Sequence, residues 1–223
     1  MTYSDKLDFS QKQYIYRILA NYCMPTLLKL KPSSMFNVNK SYIRNPVTFF
    51  AELERELTAF ECSYFILFES GSMYLILIYN RAFMTEMILD TDNRHFLDSC
   101  GYDIKGCMEV SSILVRLKGR YMEYWLKKSA FPHEVGILLG YPLWDVEDFI
   151  RNNGENYLLN GCWKVYHEVK RAEETFRLYH KVSEDALQII RSGENLKDVR
   201  MCNKEECLKD MLSNMIASYH CKA

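Results

Sequence analysis

Apolar and polar positions divide the chain into segments with clear periods. In FSQKQYIYRILANY, residues 9–22, Tyr14, Ile15, Ile18, Leu19 and Tyr22 fall on one helical face, and Ser10 stands where an N-cap would. Pro25 disfavours helical geometry at the residue before it, so this helix is expected to stop near Cys23. SSMFNVNK follows Pro32 and reads as a strand, whereas PVTFFAELERELTAF, residues 46–60, opens on a proline suited to a first helical turn and then repeats apolar residues on one face. The two halves of YFILFESGSMYLILIYN, rich in aromatic and β-branched residues around a Gly-Ser turn, predict an antiparallel hairpin.

Helices are expected at about 81–90, 93–100 and 107–128, the last weakened only by Gly119. FPHEVGILLGYP, a proline followed by a mostly apolar run and a Gly-Tyr-Pro stop, reads as a short buried strand entered at His133. A helix over LWDVEDFIRNN, a strand at CWKVYH and a long helix at about 168–192 complete the pattern. The expected class is α+β: a mostly antiparallel sheet of about five strands packed with helices. Residues 1–193 are expected to form a single domain and 194–223 a helical C-terminal extension.

Composition narrows the function classes. Of 223 residues 48% are apolar, enough for a sizeable core, and the net charge of -1 gives no global footprint for nucleic acid. The segment YFILFESGSMYLILIY is broken by Glu69–Ser72 and is too short on either side to span a bilayer, so no membrane role is expected. MTYSDKLDFSQKQ lacks the apolar run of a secretory signal, which predicts a cytoplasmic location and reduced thiols for the eight cysteines. Phosphate-binding loops, G-x-S-x-G and H-E-x-x-H are absent from the sequence, and no cofactor is expected. Cys202-x4-Cys207 with His220-Cys221 offers soft ligands, but its loose spacing argues against a zinc site.

Candidate chemistry centres on Cys23. With Pro25 in the first turn of PTLLKL, the thiol would lie at a helix N-terminus, where unpaired N–H groups stabilise a thiolate and could bind an oxyanion. His133, at the start of its strand, is the matching base, and Asp145 or, as an alternative, Asn160 would orient it. The competing reading packs Cys23 as a small hydrophobe, leaves His133 bonded to nearby backbone and has Asp145 cap the helix that follows it.

NYCMPTLLKLKPSSMF together with FPHEVGILLGYPLWDVEDFI, GENY and GCWKVYHEVKRAEETFRLYHK resembles an uncharacterised family of small proteins from anaerobic bacteria, a domain of unknown function. The resemblance spans most of residues 10–193. It marks Cys23, Pro25, Thr26, His133, Glu134, Gly140, Tyr141, Pro142, Asp145, Trp163 and Tyr166 as motif positions; His167 departs from a small residue in the pattern. The order of a cysteine at a helix start and a later histidine opening a strand is similar, as a distant analogy, to papain-like cysteine peptidases and transacylases.

These readings converge on an acyl-transfer enzyme in which Cys23 attacks a thioester or amide carbonyl and His133 acts as base and then acid. Its partners would be a small-molecule or carrier-bound acyl substrate and an amine acceptor or water. The alternative is a non-catalytic binding or regulatory protein with structural Cys23 and His133.

Overall fold

The computed structural model describes residues 3–103 and 109–199. At its centre, β2 (Cys62–Glu69) and β3 (Met73–Asn80) form the expected hairpin, and β1 (Ser33–Asn39) adds to the far side of β3 to give an antiparallel sheet of order β1-β3-β2. Ser70 closes the hairpin turn, its hydroxyl accepting from the Ser72 and Met73 amides at 3.3 and 3.2 Å.

Every residue of β3 from Tyr74 to Asn80 is buried. Because side chains alternate along a strand, both faces of the sheet need cover. Tyr74, Ile76 and Ile78 enter one core; Leu75, Leu77 and Tyr79 enter a second. A bulge in β2 between Ile66 and Phe68 turns Leu67 and Phe68 to the same face, adding both to the second core.

Two helical layers supply the cover. Over the first core lie α1 (Tyr3–Ile18), α2 (Met24–Leu27), α3 (Pro46–Thr58) and α9 (Val169–Arg191). Over the second lie α4 (Arg81–Leu89), α5 (Thr91–Ser99), α6 (Val110–Trp125), α7 (Val135–Leu138) and α8 (Leu143–Arg151). Short polar residues start these helices by accepting from first-turn amides: Asn45 from Val47 and Thr48, Asn80 from Phe83, and Asp90 from Asn93. A two-stranded ribbon, β4 (Leu159–Asn160) with β5 (Lys164–Val165), stands apart from the sheet. Among the described residues no helix is long and apolar enough to cross a membrane.

The α+β class is as expected, but the strands are divided three and two instead of forming one sheet of about five. The run after Pro132 is α7, not a strand. Amides of Val135, Gly136 and Ile137 bond the carbonyls three residues back, and a fully buried apolar run carries no period that separates helix from strand. The first helix starts at Tyr3, which puts Ser10 inside it and not at its cap. Its end falls near Cys23, as expected: α1 passes into a π-helical turn over Leu19–Cys23, and Cys23 is the N-cap residue of α2, whose first turn holds Pro25. There the proline's missing N–H removes no required bond. Leu196 and Val199, assigned to the C-terminal extension, are fully buried in the first core; residues 200–223, including the Cys202, Cys207, His220 and Cys221 group, lie outside the described residues.

One charge pair, its acid buried and its base partly exposed, ties the second layer together. Glu134 is 2% exposed, and its carboxylate accepts a bidentate pair from Arg120 of α6, the Nη2 contact at 3.2 Å, plus the Tyr102 hydroxyl at 3.0 Å. Burial and the adjacent carboxylate push the Tyr102 hydroxyl pKa far up, keeping it a donor. Removing one partner leaves a buried charge uncompensated, a larger loss than the pair's net worth. Arg120→Met should therefore destabilise the protein by about 3–5 kcal/mol in urea unfolding. Adding Glu134→Gln should recover much of that loss, because the amide still accepts from Tyr102.

Candidate functional site

The chain segments flanking α7 and α8 meet the ribbon at the seam between the two layers. Gly140 makes the meeting possible: its φ is +81°, and a Cβ there would lie 2.5 Å from the Pro32 ring. The Ser33 hydroxyl donates to the Leu138 carbonyl at 2.6 Å, locking the start of β1 to the end of α7. Tyr141, packed against the second core, then stacks on Trp163, packed against the first, with centroids 5.2 Å apart. On the ribbon's other side, the α9 ring of Phe176 takes the space a side chain at Gly161 would need, 2.1 Å from its Cβ position.

Asp145 fixes this seam. The residue is 2% exposed in the first turn of α8; its Oδ2 accepts from the Trp163 indole at 2.8 Å, and Oδ1 accepts from the Tyr166 and His167 amides at 2.9 and 3.1 Å. Three N–H donors satisfy a carboxylate that burial would otherwise penalise, and together they hold α8, the backbone just after β5 and the Trp163 ring in one geometry. The expected first-turn role is present, and the bonds to the residues flanking β5 are an addition that local sequence gives no sign of.

Between these elements lies a cavity of about 470 Å³, walled by aromatic and aliphatic side chains with a few polar groups: His133, Asp145, Asn160, Cys162 and Lys164. The His133 ring sits between Phe131 and Phe149, 5.3 Å from each centroid. Burial lowers its pKa, against a smaller opposing pull from Glu134, so it is neutral at pH 7. Lys164 donates to the Gly154 carbonyl at 2.6 Å and lies 4.7 Å from the Tyr157 ring.

The structure thus brings His133, Asp145 and Asn160 to one cavity and leaves Cys23 out of its wall. Cys23 has no solvent exposure and packs in the first core, and burial raises its pKa well above the usual thiol range. Cys23 stands at the N-terminus of α2 as expected, but its thiol faces core side chains instead of solvent, and burial opposes the thiolate. Neither Asp145 nor Asn160 bonds the His133 ring among the described residues. The papain-like arrangement is likewise replaced, since His133 precedes a helical turn instead of opening a strand.

Cys162, which sequence reading passed over, is the cavity's thiol. It is exposed at the ribbon tip, and Lys31 opposes the rise in pKa that its partial burial causes. Its flanks, Gly161 and Trp163, were the available signal: a glycine and a large aromatic around a thiol at a turn. Among the described residues no group of His, Cys, Asp and Glu is placed to hold a metal ion.

Fold and site define an α+β protein with a three-stranded sheet between two helical layers and an aromatic cavity at their seam. The chain belongs to the DUF3793 family, proteins of unknown function, whose profile matches residues 19–200. No curated protein and no solved structure matches it.

Asp145→Ala should cost about 3 kcal/mol in chemical denaturation, since it removes a charged acceptor from three donors. His133 supplies a pH test. Its folded pKa lies below the unfolded value of 6.5, so the unfolded chain binds more protons below that pH. The histidine's contribution is complete above 6.5 and lost as pH falls through the folded pKa. Unfolding midpoints measured from pH 7 to 4.5 should show the wild type losing stability relative to His133→Phe.

Proposed function

We propose that the protein binds a small, mostly apolar molecule with a planar or acyl portion in the cavity between α8 and the ribbon. What carries this reading is the built wall: a buried carboxylate commits its hydrogen bonds to fixing Trp163 and the Tyr166–His167 backbone around a concave aromatic surface. Ligand sites have this character, with apolar walls and a few placed polar groups. Neutral His133, Asn160 and the Lys164 ammonium supply the polar contacts. The free cysteines at 23, 62, 100 and 162 are in keeping with a reducing, cytosolic setting.

A second reading has acyl transfer at the same cavity, with Cys162 in the role first sought at Cys23. It is favoured by Cys162 and His133 lining one cavity and by Lys31 acting on the thiol. The Cys162 sulfur would attack a thioester carbonyl, His133 taking its proton and returning it to the departing thiol; water or an amine would then release the acyl group.

Anilinonaphthalene sulfonate tests the first reading. It should bind saturably, one per chain, with a dissociation constant on the order of 10 µM. Asn160→Trp, which fills the cavity from an exposed position, should abolish that binding without lowering the melting temperature. Non-saturable binding, or binding unchanged in the variant, argues against a ligand cavity. For the second reading, a benzoyl thioester should leave a benzoyl mass on Cys162 in wild type and Cys23→Ser alike. Absence of any adduct removes acyl transfer.

A further inference from the structure

Beyond the Tyr141 side of the seam lies a second cavity of about 580 Å³, between the α2 region and α9, whose wall includes Pro25, Lys31, Tyr141, Cys162, Tyr179 and Glu184. Lys31 is the residue that leads from Leu30, in the first core, to Pro32 against Gly140. Its ammonium nitrogen lies 5.7 Å from the centroids of both Tyr141 and Tyr179. Among the described residues no carboxylate pairs with it; Glu184, the acid in the same wall, is 3.3 Å from His180 Nδ1.

The charged groups around this amine are few. Cys162 and Cys23 would favour the ammonium if ionised, but burial raises the pKa of both thiols, so both are protonated at neutral pH. Tyr141 is also protonated, its pKa pushed up to about 12 by burial. With no anion among the described residues to offset desolvation, the Lys31 pKa falls to about 8. At pH 7.5 about a quarter of such amines carry a free lone pair, against roughly one in a thousand for an ordinary lysine.

We propose that Lys31 is a reactive lysine that forms an imine with a small aromatic aldehyde held between Tyr141 and Tyr179. A salt-bridged lysine serves anion binding; this one sits where its charge is costly, its side chain lines the cavity, and its nitrogen lies beside two rings that would flank a planar carbonyl. The Nζ lone pair adds to the carbonyl carbon, the nitrogen gives up a proton as the oxygen gains one, and loss of water from the carbinolamine leaves the imine. No oxidant or reductant takes part. This assignment is independent of what occupies the first cavity.

The probe is 4-hydroxybenzaldehyde with cyanoborohydride, which converts the imine to a stable secondary amine located by peptide mass spectrometry. In Cys162→Ser, which removes the competing thiol, Lys31 should be labelled at least ten-fold faster at pH 7.5 than any exposed lysine. That advantage should shrink above pH 9 as the other amines deprotonate. Lys31→Arg should lose the fast adduct. A second measurement needs no variant: competitive acetylation of the native protein across pH should give Lys31 a midpoint near 8. Labelling no faster than exposed lysines, or an acetylation midpoint above 10, overturns the proposal.

Discussion

A central strand with no solvent-facing side governs this molecule. Once β3 buries both its odd and even positions, each face of a three-stranded sheet must be roofed by helices, and the chain is divided into two layers with separate cores. That division decides what can meet. Cys23 is drawn into the core above one face, while α7 is drawn to the other and leaves the His133 ring between Phe131 and Phe149. The candidate groups His133, Asp145 and Cys162 converge where the layers touch, beside the Tyr141–Trp163 stack, and not within either core.

The seam is polar in its fastening and apolar in its surface. Asp145 sits behind Trp163, spending its oxygens on the indole and two backbone amides, so the aromatic face it positions is left bare. Lys31 shows the opposite arrangement: a charge brought beside two tyrosine rings with no acid among the described residues to answer it. Cys162 joins the two cavities, lining both from the ribbon tip. The two cavities draw on the same ring of residues, held by close approaches of the Pro32 ring to Gly140 and of the Phe176 ring to Gly161 that leave no room for a Cβ.

Much of this was legible in sequence, because strong periods map directly onto burial. The β2–β3 hairpin, α3, α8 and α9 follow from alternation or from helical spacing with recognisable starts. The run EVGILLG was misjudged because every position in it is buried, which erases the period. Cys23 does precede a helix start with Pro25 in its first turn, but its promise also needed an accessible thiol, and its burial in the first core depends on distant segments that leave no local signature. Asp145 and Asn160 do reach the cavity with His133, but the acid's partners lie 18 to 22 residues downstream. Lys31 and Cys162 escaped notice because their significance depends on contacts between distant segments, Lys31 with α9 and the ribbon, which no local pattern encodes.

The fastening of Trp163 by Asp145 is the claim on which the site stands, and the indole N–H reports it directly. In NMR spectra of protein labelled with 15N-tryptophan, with the Trp163 signal assigned by Trp163→Phe, that N–H should exchange with deuterium at least 100-fold more slowly than the indole of Trp125, which is 53% exposed. Exchange as fast as that of Trp125 would mean that the carboxylate does not hold the ring, and the account of a built cavity would fail.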